Sequence, residues 1–303
     1  MTQFLPEMER PSPSARSLNQ WVRDAVGLTG ETERRIGWLL SSTVAIAALQ
    51  RAMGADQSPL FWVKGGVYLE MRLARARATK DVDTVFRGQV EQLRSTLHDA
   101  LSLPWGPFQI DYSELQVITG AQRPEGLKPV RLDMRLWLKG AIWRKVRVEV
   151  SFPEGKLTET ADPVPAPPTG FFGIDVPDQL AGIVMDYQVA QKMHAASDPD
   201  LPDYTNERVR DVIDLLLVKH AFYPENPPSL KTACLDLFAA RVAEARQMGK
   251  PPRHWPPILH ANDTWHTLYP ELADSVGLEL SLNEAIQAVH QWIAEIDITS
   301  NIP

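Results

Sequence analysis

Lys80–Asp81–Val82–Asp83–Thr84–Val85–Phe86 is the stretch that decides the fold. Val82, Thr84 and Phe86 alternate with Asp81, Asp83 and Val85, which is the period-two pattern of a strand. Residues i and i+2 of a strand point the same way, ~6.6 Å apart, so both carboxylates lie on one face. Two carboxylates so placed can hold Mg²⁺, which takes a few carboxylates together with substrate phosphates. A lone Asp-x-Asp is a weak signal, because an exposed strand end or a cap before the next helix has the same spelling.

The context upstream strengthens it. Leu60–Phe61–Trp62–Val63 reads as a short strand that runs into Lys64–Gly65–Gly66, about 15 residues before the aspartates, and Val67–Leu73 continues as a helix. Glycines at a strand-to-helix turn let backbone N–H groups approach phosphate, and a helix N-terminus favours negative charge. No GxxxxGK[ST] occurs, so this is not a P-loop. A glycine turn, a helix and then a carboxylate strand is an order that brings a triphosphate and its metal together.

Working outward, residues 31–53 carry a helical stripe (Ile36, Leu39, Leu40, Val44, Ala47), and Val90, Leu93, Leu97 and Leu101 carry another. Residues 108–118, 129–138 and 142–152 read as strands, the last two turning near Lys139–Gly140. In the 142–152 strand Val146, Val148 and Val150 face one way, which leaves Arg147, Glu149 and Ser151 on the other. A third acid for two metals is Glu149, with Asp133 on the neighbouring strand as its rival. A cross-strand salt bridge to Arg131 or Arg147 is the structural alternative for either.

Five prolines between Pro153 and Pro168 read as a linker or long surface loop, and beyond them 178–196, 205–220, 229–247 and 282–296 read as helices. The predicted organisation is a flexible tail (1–17), an α+β domain (18–170) and a mainly helical domain (171–303).

Composition narrows the function classes. Charged residues at 23% and apolar ones at 44% describe a globular chain. The single cysteine, Cys234, excludes an internal disulfide or a Cys-rich zinc module and suits a reducing cytoplasm. The N-terminus lacks a signal-peptide pattern, and the run between Arg35 and Arg51 would rise only ~22 Å as a helix, short of a ~30 Å bilayer core. No membrane partner is expected. No HExxH or GxSxG occurs, and the histidines read as packed or loop residues. The net charge of −7 argues against a nucleic-acid coat protein, yet 64–87 carries +3 and 121–150 carries +5. Basic segments beside the proposed metal site favour a phosphate-bearing acceptor such as RNA.

KGGVYLE, RATKDVDTV, VRVEVS, YQVAQKMHA and RVRDVIDLLLV, in that order, resemble the AbiEii-type nucleotidyltransferase toxins, most closely the MenT-like branch of mycobacteria and relatives. The likeness runs from about residue 36 to 296 and includes PPRHWPP. It implies an α+β fold: a DNA polymerase β-like nucleotidyltransferase domain, a mixed sheet with flanking helices, followed by a helical domain that supplies Lys192 and Asp214 to the site. It implies a toxin of a toxin–antitoxin pair that uses NTP and two Mg²⁺ ions to add nucleotide to the 3′ acceptor end of tRNA, with an antitoxin encoded nearby. Lys64, Gly65, Gly66, Thr79 and Lys80 would lie on the nucleotide side and Asp81, Asp83 and Glu149 would bind metal, although many such sites use Asp as the third acid. Lys192 would contact the triphosphate and Asp214 would complete the site, with Arg208 and Asp211 beside it. Read from the residues alone, Lys192 is equally a snorkelling surface lysine, and Arg208, Asp211 and Asp214, at helical spacing, an ion-pair helix face.

Thr79 carries a second expectation. A phosphate on its hydroxyl would add about −1.5 to −2 charge beside two acids and repel metal and NTP; otherwise it is a loop threonine at a strand start. Two other readings stand beside RNA transfer: nucleotidylation of a protein, and a silent nucleotide-binding interaction module.

Overall fold

The structure is a computed structural model that describes residues 7–73, 78–121, 123–202 and 204–299. The described chain divides into two compact units. One comprises the chain up to Arg72, Ala78–Phe152 and Pro163–Gly182; the other comprises Pro153–Asp162 and the chain from Ile183 onward.

The first unit is built on a mixed sheet of β1 (Phe61–Lys64), β2 (Asp81–Phe86), β3 (Phe108–Tyr112), β4 (Gln116–Val117), β5 (Val130–Leu138), β6 (Ala141–Ser151), β7 (Ala161–Pro165) and β8 (Gln179–Ile183). The strand order is β3-β5-β6-β2-β1-β8-β7, with β4 paired to β5. Strands β2 and β6 are parallel, as are β1 and β8, whereas β1–β2, β3–β5 and β5–β6 are antiparallel.

Alternation decides which face is core. Val130, Leu132, Met134, Leu136 and Leu138 of β5 and Val146, Val148 and Val150 of β6 are all buried, so the intervening charged residues share the opposite face. Lys139 (φ +51°) and Gly140 (φ +81°) make the β5–β6 turn, since two successive positive φ angles match the right-handed strand twist.

Helices α1 (Ala15–Thr29) and α2 (Glu33–Leu49) pack against the sheet, and α3 (Gly65–Arg72) and α4 (Leu93–Leu101) complete the unit. Helix α1 starts inside the stretch expected as a tail. Ser14 accepts the Ser17 amide at its start, Gly30 closes it in the left-handed region, and Leu18, Val22 and Ala25 are fully buried. Every residue of α2 from Leu40 to Leu49 is buried, which explains its uncharged run. No helix among the described residues is long and apolar enough to cross a membrane.

Two strands lie where the sequence predicts helix or loop. Gln179–Ile183 is not the start of a helix but β8, which runs parallel to β1 with Val63 opposite Gly182. The proline-rich stretch is not all loop, because it contains edge strand β7; Pro163 and Pro165, lacking an N–H, are tolerated at a sheet edge.

The second unit is helical, with α5 (Met185–Ala196), α6 (Val209–Phe222), α7 (Pro228–Gln247), α8 (Asp263–Val276) and α9 (Leu282–Ile298). Helix α5 packs on α6 and α7, and α6 packs on α8 and α9. Helix α8 lies outside the helices expected from sequence, and it contains Pro270 in its interior. His266, expected in a loop, belongs to α8. The PPRHWPP segment is tied to the end of α5 by Arg253, which pairs with Asp198 at 2.5 Å and donates to the Ser197 hydroxyl at 2.9 Å.

Candidate active site

Strand β1 delivers Lys64 to a turn at Gly65, whose φ of +68° is a backbone state that side chains resist. The adjoining space is taken as well. A Cβ on Gly65 would lie 2.2 Å from Asp83 Oδ2 and 2.9 Å from Asp83 Cβ. The carboxylate of Asp83 is therefore seated directly over the strand-to-helix turn. Gly65 is needed for both conformation and contact, and Gly66 follows it, buried in the first turn of α3.

The sheet register places the other groups. Lys64 pairs with Asp83, Asp83 with Glu149, and Glu149 with Arg131, so four strands contribute one residue each to a continuous polar row. In the next row Asp81 lies beside Arg147, and Arg147 beside Asp133. Thr84 and Ser151 lock β2 to β6, the Thr84 hydroxyl donating to the Glu149 carbonyl (3.2 Å) and the Ser151 hydroxyl to the Thr84 carbonyl (3.0 Å).

The ionic contacts separate the two candidates for a third acid. Arg131 donates to Glu149 Oε1 from both Nε (2.9 Å) and Nη2 (2.6 Å). Asp133 accepts from Lys145 Nζ at 3.1 Å and lies 3.6 Å from Arg147 Nε, which is 3.8 Å from Asp81 Oδ1. Glu149 adjoins Asp83 in the register, whereas Asp133 lies one row away and one strand farther. Burial, and then the negative charge of Glu149, raise the Asp81 carboxyl above the ordinary range; Arg147, Arg131 and Lys80 oppose the rise. The hydrogen bond to Glu149 raises the Arg131 guanidinium further.

Thr79 is half-buried just before β2, its hydroxyl 3.4 Å from the Asp81 carbonyl, and Lys80 is exposed beside it. Arg75 and Arg77, expected in a basic loop, lie outside the described residues.

The donor chemistry suits a divalent cation. Asp81 and Asp83 offer hard oxygens on one open face, and Glu149 stands next to Asp83. Among the described residues no three acidic, His or Cys side chains are drawn together in a ligating group, and the Glu149 carboxylate is held by Arg131.

The second unit carries a different constellation. Lys192 on α5 donates to Asp211 Oδ1 and Asp214 Oδ2 of α6, each at 2.7 Å. All three are buried, at 7%, 7% and 3% exposure, so Lys192 is not a snorkelling surface side chain. Arg208 is exposed at the cap position of α6, its amide donating to Asn206 Oδ1 at 2.8 Å.

The sequence raised Arg131 and Arg147 only as salt-bridge partners of the acids. Their alternation on β5 and β6 was the signal that they share the acids' face. Nothing local in the sequence announced that Asp83 packs on Gly65.

The AbiEii nucleotidyl transferase toxin family, of type IV toxin–antitoxin systems, matches residues 47–292 of this chain. That span includes both constellations. Among solved structures, the chain is similar to the MenT4 nucleotidyltransferase toxin of Mycobacterium tuberculosis, with 16% identity, a TM-score of 0.53, and 93% of this chain and 90% of that one covered. A nucleotidyltransferase assigned as putative in H. pylori matches at 13% identity with a TM-score of 0.42, over 85% of this chain and 91% of its own. No curated protein matches the chain. At these identities the MenT4 likeness establishes a shared fold. The match over most of its length, set on this fold, makes the chain a member of the AbiEii nucleotidyltransferase toxin family.

Proposed function

We propose that this toxin transfers nucleotide from an NTP to the 3′ end of tRNA, in a Mg²⁺-dependent reaction centred on Asp81 and Asp83. The observation that carries the reading is the seat of Asp83 on Gly65, with Asp81 and Glu149 beside it on one open face.

In this reading the Lys64–Gly65–Gly66 turn and the N-terminus of α3 receive the leaving phosphates, helped by the positive helix end and the Lys64 ammonium. Asp81, Asp83 and Glu149 would hold the metal, which supplies charge neutralisation at the α-phosphate and the departing pyrophosphate. The acceptor 3′-hydroxyl oxygen bonds to the α-phosphorus as the bond to the bridging oxygen breaks. Its proton passes to a carboxylate oxygen of the acid row, and pyrophosphate leaves. The nucleotide-contact roles of Lys192, Asp211, Asp214 and Arg208 are proposed on the family resemblance alone, as is control through Thr79.

The basic segments around β2 and across β5–β6 support an RNA acceptor. A type IV family implies an antitoxin partner, and we propose that it is encoded nearby. The test is incubation of the full chain with each labelled NTP and total RNA, followed by sequencing of extended 3′ ends. Label on tRNA that needs Mg²⁺ and disappears with Asp83→Ala is the expected result. Label on protein, or RNA labelling by Asp83→Ala equal to wild type, overturns it.

A further inference from the structure

Arg131 and Glu149 make a two-donor clasp on the open face of the sheet, with side-chain exposures of 40% and 25%. An Arg–carboxylate pair this exposed adds little to folding. The clasp does, however, occupy the acid that adjoins Asp83 in the register. In this row Lys64 and Arg131 offset Asp83 and Glu149, and the adjoining row adds Asp81 and Asp133 against Arg147, so the two rows together carry −1. A dication added to a set carrying −1 leaves an excess of positive charge, and the most direct relief is departure of the cation that already holds Glu149. Arg131 can leave because its side chain already reaches solvent, and because Glu149 approached by metal loses its need for a partner.

We propose that Arg131 is a built-in competitor of the divalent cation: its guanidinium and the metal contend for the Glu149 carboxylate, so metal binding and release of Arg131 are one event. This rests on the reading of Asp81 and Asp83 as the metal pair. It makes Arg131 a positioning residue that sets how tightly the site takes metal, and it distinguishes Arg131 from Arg147. The latter lies 3.6 Å from Asp133 and 3.8 Å from Asp81, without a two-donor clasp on either.

The test is Mn²⁺ titration of the full chain without nucleotide, followed by calorimetry and by electron paramagnetic resonance of free Mn²⁺. Arg131→Gln is expected to bind Mn²⁺ about three- to fivefold more tightly than wild type, the range set by losing an exposed ion pair. Arg147→Gln should give a smaller gain. In the Glu149→Gln background the extra effect of Arg131→Gln should disappear, which a double-mutant cycle reads directly. Unchanged or weaker Mn²⁺ binding by Arg131→Gln overturns the proposal, and so does an equal gain with and without Glu149, which would be general charge removal. Melting temperatures confirm that each variant is folded. Asp83→Asn separates the two readings. If it abolishes Mn²⁺ binding while Arg131→Gln changes nothing, only the competition fails; if no form of the protein binds Mn²⁺, the metal reading falls and takes the competition with it.

Discussion

Two clusters of opposite charges, one in each unit, show how the same chemistry serves different ends. On the sheet, Asp81, Asp83 and Glu149 mix with Arg131, Arg147 and Lys64 on an open face, with pairs partly solvated. In the helical unit, Lys192 is clasped by Asp211 and Asp214, and all three are buried. Water decides the difference. Exposed pairs are worth ~0–1 kcal/mol and can exchange partners, whereas removing one member of a buried set leaves an uncompensated charge that costs ~3–5 kcal/mol. The sheet cluster is thus suited to ligand exchange, and the helical clasp, whatever else it contacts, ties α5 to α6.

Four variants test that contrast, from the largest effect to the smallest. Asp83→Ala should lower nucleotide transfer by on the order of 10³-fold while the melting temperature moves by about 2 °C or less; a large loss of stability would mean that the open cluster is structural after all. Lys192→Met should do the reverse in stability, costing ~3–5 kcal/mol in urea unfolding. The triple change Lys192→Met, Asp211→Asn, Asp214→Asn should recover part of it, since the two carboxylates that Lys192 holds are then neutral as well. Gly65→Ala should strain the turn by ~1–3 kcal/mol and push the Asp83 carboxylate aside, seen as a fall in activity larger than its fall in stability.

The smallest effect concerns pH. The folded-state pKa of Asp81 is raised by burial and by Glu149. Its charged form therefore weakens the fold above the folded pKa, and that penalty fades as pH falls through the folded value toward the unfolded one. Asp81→Asn should melt slightly higher than wild type at pH 7 and lose that advantage near pH 3.5. An advantage independent of pH would assign it to something other than charge.

Much of this was readable in advance where the signal is local. The turn at Lys64–Gly65–Gly66, the alternation of β2 and the β5–β6 hairpin all announce themselves within a few residues, and these carry Asp81, Asp83 and Glu149. What escaped depends on distant partners. Gln179–Ile183 is too short to show a period of its own, and its strand character comes from pairing with β1 more than a hundred residues earlier. A Cβ on Gly182 would meet Val164 and Tyr68 within 2.7–2.8 Å, a closeness that only the assembled sheet defines. Helix α8 carries a proline in its interior, a residue that ordinarily marks a helix break, and the burial of Lys192 is invisible in a motif that spells a surface helix equally well.

The proline-bearing strand β7 has a consequence for how the protein behaves in a crowded solution. A sheet that ends on a bare strand offers its unused amides and carbonyls to any second copy, and that invites filaments and precipitates. Pro163 and Pro165, both exposed, remove donors from that border, and Arg72 Nη2 donates to the Pro163 carbonyl at 2.6 Å. That border therefore lacks two of the amide donors that edge-to-edge pairing with a second copy would use, and one of its carbonyls is already taken.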